Sequence, residues 1–279
     1  MQHWQNRTAL IATKHGKEAV IGPRLAILGL HYEVTTDFDT DAFGTFTRDI
    51  ARPGDQLATA RAKATAAHDH YGAELVVVSE GSFGSDPAIP FLGRNLELVL
   101  LVDFAYQLEI RGEHQAAHPQ PHQATAHSVA EARDIATAWG FPEQGIILRR
   151  HAQDNRQIIK DIDGFAALDK AIHQLLRPWW RRSLSLETDM RAHRCPERQQ
   201  NIAAAADDLV AHATRLCPAC HFPGWQPAHT IAGLPCAHCT RPTDSVRAWQ
   251  YACSHCGHTA EQTSEQTVAD PGLCAYCNP

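Results

Sequence analysis

Glu74-Leu75-Val76-Val77-Val78, running into Ser79-Glu80-Gly81-Ser82-Phe83-Gly84, is the stretch that decides the fold. Its first half is nearly all apolar, which is the composition of a central parallel strand buried on both faces, and Ser79 to Gly84 reads as the loop into which that strand opens. The residues before it repeat the unit. Thr8 to Thr13 (TALIAT) reads as a short buried strand that runs through Lys14-His15-Gly16-Lys17-Glu18 into an amphipathic helix ending near Gly29. His31 to Thr36 is a second strand, followed by an acidic, glycine-containing loop over residues 37–55. An alanine-rich helix then spans about Gln56 to Tyr71, with Gly72 as its C-cap. Strand, helix, strand, helix, strand at this spacing predicts an α/β sheet.

Downstream, residues 96–104 (LELVLLVDF) and 106–114 (YQLEIRGEH) read as two strands extending the sheet antiparallel. Residues 114–127 carry four histidines among Pro and Gln at irregular spacing, the composition of a solvated insertion. A helix from Ser128 to Trp139 is capped by Ser128 with Glu131 three residues on. A strand over Gly145 to Arg149, a short one near Ile158 and a helix from Gly164 to about Arg177 follow, and Trp179-Trp180-Arg181-Arg182 marks a boundary. A further helix, Asn201 to Leu216, leads to the C-terminal segment. The expected fold is α/β: a mixed, mostly parallel sheet with helices on both faces over residues 1–180, a helical linker over 181–216 and a C-terminal double zinc ribbon over 217–279.

The zinc reading rests on four Cys-x-x-Cys pairs, Cys217/Cys220, Cys236/Cys239, Cys253/Cys256 and Cys274/Cys277. Pairing the first with the second and the third with the fourth gives two four-thiolate sites at zinc-ribbon spacing, and the spacing also leaves interleaved pairing open. Two structural Zn²⁺ ions are expected, because a full thiolate set leaves no open position for catalysis. The knuckles need positive φ after the second cysteine, which suits His221, Gly257 and Asn278 and suits β-branched Thr240 less well, so a distorted second knuckle is expected. Residues 217–279 hold two arginines, no lysine and four carboxylates, and two zinc–thiolate centres take that surface to about −6. Such a surface repels phosphate backbones, as does a whole chain at −6, so a clamp or protein-docking role fits this segment better than nucleic-acid binding.

No stretch is long and apolar enough for a membrane span, and residues 1–18 lack a basic-then-apolar leader, so a soluble cytoplasmic protein is expected. Chemistry is expected where the parallel strands end. Lys14, His15 and Lys17 follow the first strand at a helix N-terminus, an anion site. Asp37, Asp39, Asp41, Thr45, Asp49 and Arg52 follow the second, and Glu80 follows the third, with Asp86 nearby. Lysines for phosphate and carboxylates for Mg²⁺ are the two halves of a phosphate-transfer site. Cys195, the ninth cysteine, reads as a structural thiol rather than a nucleophile paired with His193.

Residues 12–18 (ATKHGKE), 38–53 (FDTDAFGTFTRDIARP), 79–87 (SEGSFGSDP), 187–193 (ETDMRAH) and the cysteine pattern from Leu216 together resemble an uncharacterised bacterial domain-of-unknown-function family, family 6671. That family brings no activity with it. In it the loop around position 49 ends in Glu and position 86 is His, where this chain has Asp49 and Asp86.

The N-terminal part is also similar in plan to inosine-triphosphate pyrophosphatase-like enzymes. Thr13 and Lys17 match their phosphate loop, with Lys14 in place of an asparagine. Lys63-Ala64 matches their helix motif and Glu80-Gly81 their acidic turn. The resemblance implies a Mg²⁺-dependent nucleoside triphosphate hydrolase in which Glu80, Asp49 and Asp39 hold Mg²⁺ while Lys14, His15, Lys17 and Lys63 hold phosphates. The alternative is a non-catalytic module binding a nucleotide, another phosphorylated small molecule or a protein, with the zinc ribbon structural.

Overall fold

The structure, a computed structural model, describes residues 3–13, 16–38, 55–85, 93–117, 121–152, 157–177 and 183–279. The first sheet is formed by β1 (Thr8–Ala12), β2 (His31–Val34), β3 (Leu75–Ser85), β4 (Gly93–Asp103) and β5 (Leu108–Ala117), in the order β2-β1-β3-β4-β5. Helices α1 (Glu18–Ile27) and α2 (Gln56–Tyr71) connect its first three strands. β1 pairs parallel with both β2 and β3, whereas β3–β4 and β4–β5 are antiparallel. The sheet is mixed as expected from sequence, but not mostly parallel: in it parallel pairing is confined to the first three strands, where helical crossovers permit it.

Strand alternation sorts the core. Ala9, Ile11, Val77, Val99 and Leu101 pack with Ile21 and Leu25 of α1, while Leu10, Ala12, Val76, Val78 and Leu100 pack with Ala60, Ala64 and Ala67 of α2. Asp55 caps α2 by accepting from Ala58 N at 2.7 Å, and Gly72 ends it at φ 67 in the left-handed region, as its position after Tyr71 leads one to expect.

The second unit contains β6 (Gln123–Ala126), α3 (Val129–Ala138), β7 (Ile146–Arg149), β8 (Ile158–Ile159), α4 (Gly164–Leu175) and β9 (Leu184–Thr188). Its four-stranded sheet, β6-β9-β7-β8, is antiparallel, and Ile146, Leu148, Leu184 and Leu186 bury one face under Ala132, Ala136, Leu168 and Ile172 of α3 and α4. Part of the histidine-bearing segment read as an insertion is strand instead: β5 takes in residues 114–117 and β6 residues 123–126, while residues 118–120 lie outside the described residues.

Residues 181–216 are not a free-standing linker. β9 is an inner strand of the second sheet. Helix α5 (Pro196–Thr214) places Ile202, Ala205, Ala206, Leu209 and Ala213 in the same core as α1 and the first sheet. At the crossing, a Cβ on Gly112 of β5 would collide with the Ala205 carbonyl and the Leu209 amide, so only glycine lets the helix lie this close. The chain then enters a three-stranded antiparallel sheet of β10 (Gln226–Ala232), β11 (Val246–Ala252) and β12 (Thr259–Thr263). Among the described residues no helix is long and apolar enough to cross a membrane.

Candidate zinc centres and a charged crevice

The eight cysteines assemble as Cys217, Cys220, Cys253 and Cys256 in one cluster and Cys236, Cys239, Cys274 and Cys277 in the other, with the sulfurs of each within 4.8 Å of one another. This corrects the sequential pairing: the knuckles interleave, first with third and second with fourth. The cause is the sheet. β10 and β11 run antiparallel with Gln226 opposite Ala252, so the knuckle before β10 meets the knuckle after β11. The second knuckle lies at the other end, where β12 returns beside β11 with Thr263 opposite Ala248 and delivers the fourth knuckle to it.

The clusters fit Zn²⁺. Four sulfurs at 2.3 Å around a tetrahedral ion stand about 3.8 Å apart. Cys217–Cys256 and Cys220–Cys253 are both at 3.7 Å, Cys236–Cys277 is at 3.9 Å and Cys239–Cys274 at 3.7 Å. Each knuckle closes with the same backbone bond, a donation to the first cysteine's carbonyl from His221, Thr240, Gly257 or Asn278 at 2.9–3.0 Å. His221, Thr240 and Gly257 adopt φ of 59°, 60° and 72°. Thr240 thus takes the same conformation as His221 and Gly257 despite its branched Cβ, while Asn278, expected in that region too, stays out of it and still closes its knuckle by the same backbone bond.

The first cluster sits against the α/β body. Gln226 donates to Glu109 O at 2.7 Å and accepts from Arg111 N at 3.0 Å, satisfying the open edge of β5 with a side-chain amide. Phe222 packs onto the first core, between the His3 ring and a stacked His255 at 4.2 Å.

The second feature lies where β1 stops. β1 pairs with β3 only as far as Ala12 opposite Val78, and β3 continues to Ser85 along β4. Ser79 to Gly84 is therefore strand, not loop, which corrects the setting expected for Glu80: it faces Leu98 in mid-sheet. The glycines and polar side chains tolerate this because β4 pairs with β3 along its whole length. By alternation Glu80 shares the α2 face with Val78, and there Lys63 of α2 forms an ion pair with it; both side chains are almost fully buried. Ser79 and Gly81 face the other way. Lys17, at the start of α1, donates to Ser79 Oγ at 3.0 Å and to Ser79 O at 3.3 Å. Burial, then the nearby Arg198, pulls its ammonium down to about 8.

Beneath Gly81 lies a network that the sequence reading missed. Arg198 of α5 donates to Glu97 of β4 at 2.7 Å; Asn95 donates to the same carboxylate at 3.0 Å and accepts from Asn201 at 2.9 Å. A Cβ at Gly81 would stand 2.6 Å from both Glu97 oxygens. The available signal was Glu97 interrupting an apolar strand, with Arg198 and Asn201 three apart on one helix face. Arg198 also donates to Met190 O at 2.8 Å, and Gln199 to Gly16 O at 3.5 Å, joining the second unit to the loop after β1. Within ETDMRAH, Arg191 bridges Asp189 and Asp161 at 2.6 and 2.8 Å. Cys195 is buried, and burial raises its thiol, which leaves it a packing residue.

Of the residues nominated from sequence, the structure brings Lys17, Lys63 and Glu80 to the end of the β1–β3 pair. Lys14, His15, Asp39, Asp41, Thr45, Asp49, Arg52 and Asp86 lie outside the described residues. A fold with a partly parallel α/β sheet and paired four-cysteine clusters defines the class as a mixed α/β protein with two sites able to hold a metal ion. More particularly, a family model, the domain of unknown function DUF6671, matches residues 63–279, and the chain belongs to that family. The match takes in Lys63, Glu80, Glu97, Arg198 and all eight clustered cysteines, and begins after Lys17. No curated protein matches the chain.

Proposed function

We propose that this protein binds a phosphate-bearing small molecule, a nucleotide in the first instance, where β1 ends beside β3, with the two zinc clusters as structural clamps. The carrying observation is Lys17. Its hydrogen bonds go to the neutral groups of Ser79, while the two buried carboxylates nearby, Glu80 and Glu97, are taken by Lys63 and Arg198. Among the described residues that leaves one cation in excess beside the open edge of β3, at the carboxyl end of parallel strands whose connecting helices lie in different cores, the position α/β sheets offer to anionic ligands.

The Lys63–Glu80 ion pair favours binding over Mg²⁺-dependent hydrolysis, because the carboxylate that such chemistry assigns to the metal is already neutralised by an ammonium. The test is calorimetric titration of zinc-loaded protein with inorganic phosphate and with nucleoside mono- and triphosphates, with and without Mg²⁺, alongside an assay for released pyrophosphate. Binding that Lys17→Met weakens at least about tenfold, without pyrophosphate release, is expected. Pyrophosphate release abolished by Glu80→Gln would instead establish the hydrolase. No heat with any ligand would end both readings.

A further inference from the structure

We propose that Lys17 is a nucleophilic amine that captures an aldehyde or ketone bearing an anionic group, forming a reversible imine at the end of β1. The anionic half of this ligand rests on the function proposed above; the amine chemistry does not.

Lysine use in the chain singles out this position. There are five lysines against 20 arginines, so fixed positive charge is supplied almost everywhere by guanidinium. Two of the five, Lys17 and Lys63, lie close enough at the end of β1 for their charges to oppose each other, and Lys14 lies three residues before Lys17 in the chain. A guanidinium stays protonated, whereas an amine can give up its proton and attack carbon. Lys63 is committed to Glu80, but among the described residues Lys17 hydrogen-bonds to a hydroxyl and a carbonyl, which orient its nitrogen without fixing the proton as a carboxylate would.

The groups around it favour the neutral amine. Arg198 of α5 and Lys63 of α2 oppose its charge, Glu97 of β4 and Glu80 of β3 partly offset them, and His193 packs near Gly16, the residue before Lys17. Burial adds to the cationic neighbours and brings the amine to about 8, within reach of neutral pH. Lys17 as a whole residue is only partly buried and stands where β1 has ended and β3 runs on along β4.

The step needs no oxidant or reductant. The amine lone pair attacks the carbonyl carbon, a C–N bond forms, and the π electrons move to oxygen. That oxygen takes a proton from the new ammonium, with Ser79 Oγ at 3.0 Å placed to relay it. The hydroxyl then leaves with the second nitrogen-bound proton as water, giving the imine.

The test uses zinc-loaded full-length protein, pyridoxal 5′-phosphate as the probe, borohydride to trap the imine and peptide mapping across all five lysines. Lys17 should carry at least about ten times the label of Lys160 or Lys170, and its labelling should rise roughly tenfold between pH 7 and 9. Lys17→Arg should lose the label while keeping the circular dichroism melt; if that variant does not fold, the wild-type map and pH profile decide. Label spread evenly over the lysines, or absent from Lys17, overturns the proposal. Pyridoxal without phosphate labelling Lys17 equally well overturns its anionic half together with the proposed function. Phosphate or nucleotide binding with no trapped imine overturns the amine chemistry and leaves that function standing.

Discussion

Arg198 Nε donates to Glu97 Oε1 at 2.7 Å in a place where neither side chain is more than 2% exposed, and the pair lies flat against Gly81. A buried ion pair contributes little net stability, but removing one partner strands the other charge in a low-dielectric site. Arg198→Met should cost about 3–5 kcal/mol in urea unfolding, and Glu97→Leu combined with Arg198→Met should cost less than that single change. A cost below about 1 kcal/mol for Arg198→Met would show that the pair is solvated in solution.

The interleaving of the cysteine clusters makes a stoichiometric prediction. Cys220→Ser with Cys253→Ser damages one cluster, whereas Cys220→Ser with Cys236→Ser damages both. Metal analysis should find about one Zn²⁺ per chain for the first combination and none for the second, against about two for wild type. Sequential pairing would reverse that order.

Two glycines separate close packing from open space. Gly112→Ala pushes a methyl group into the backbone of α5 and should cost at least about 3 kcal/mol or prevent folding, since neither Ala205 nor Leu209 can retreat without moving the helix. Gly84→Ala, where a Cβ meets nothing within 4 Å, should change stability by less than about 1 kcal/mol. Thermal melts of the two variants side by side check both.

What the sequence made legible follows physical range. Val76 to Val78 and the cysteine knuckles are local signals, a run of apolar side chains and a fixed spacing, and both survive in the structure. Ser79 to Gly84 looks like a loop because its strand character comes from β4, whose pairing residues begin eight positions further on. β9 is invisible for the same reason: Leu184 to Thr188 becomes a strand only between β6 and β7. Cysteine pairing depends on hairpin direction, and the Glu97–Arg198 contact spans 101 residues. The nominated site shows the same division. Lys17 was legible as a residue just beyond a strand end and Glu80 as a charge following an apolar run, but neither Glu80's place inside β3 nor Lys63 as its partner was, because these depend on β4 and on which face of α2 meets β3.

Lys17 also gives stability a pH dependence whose sign is fixed. Its amine is lowered from 10.5 to about 8 in the folded protein. Below about 8 both states carry the proton and the folded state bears the cost of a poorly solvated charge. Between about 8 and 10.5 the unfolded chain binds more protons than the folded one, so Lys17's contribution to stability rises with pH across that window. The rise is at most about 3 kcal/mol, less after discounting for the residue's partial exposure. Denaturant unfolding of wild type and Lys17→Met at pH 7.5, 8.5 and 9.5 isolates the term: the difference in stability between them should shift toward wild type as pH increases. Phosphate affinity should move the opposite way, falling above about pH 8 as the ammonium is lost. A wild-type-minus-variant difference that stays flat across the three pH values would mean that Lys17 titrates normally and that its ammonium is in water.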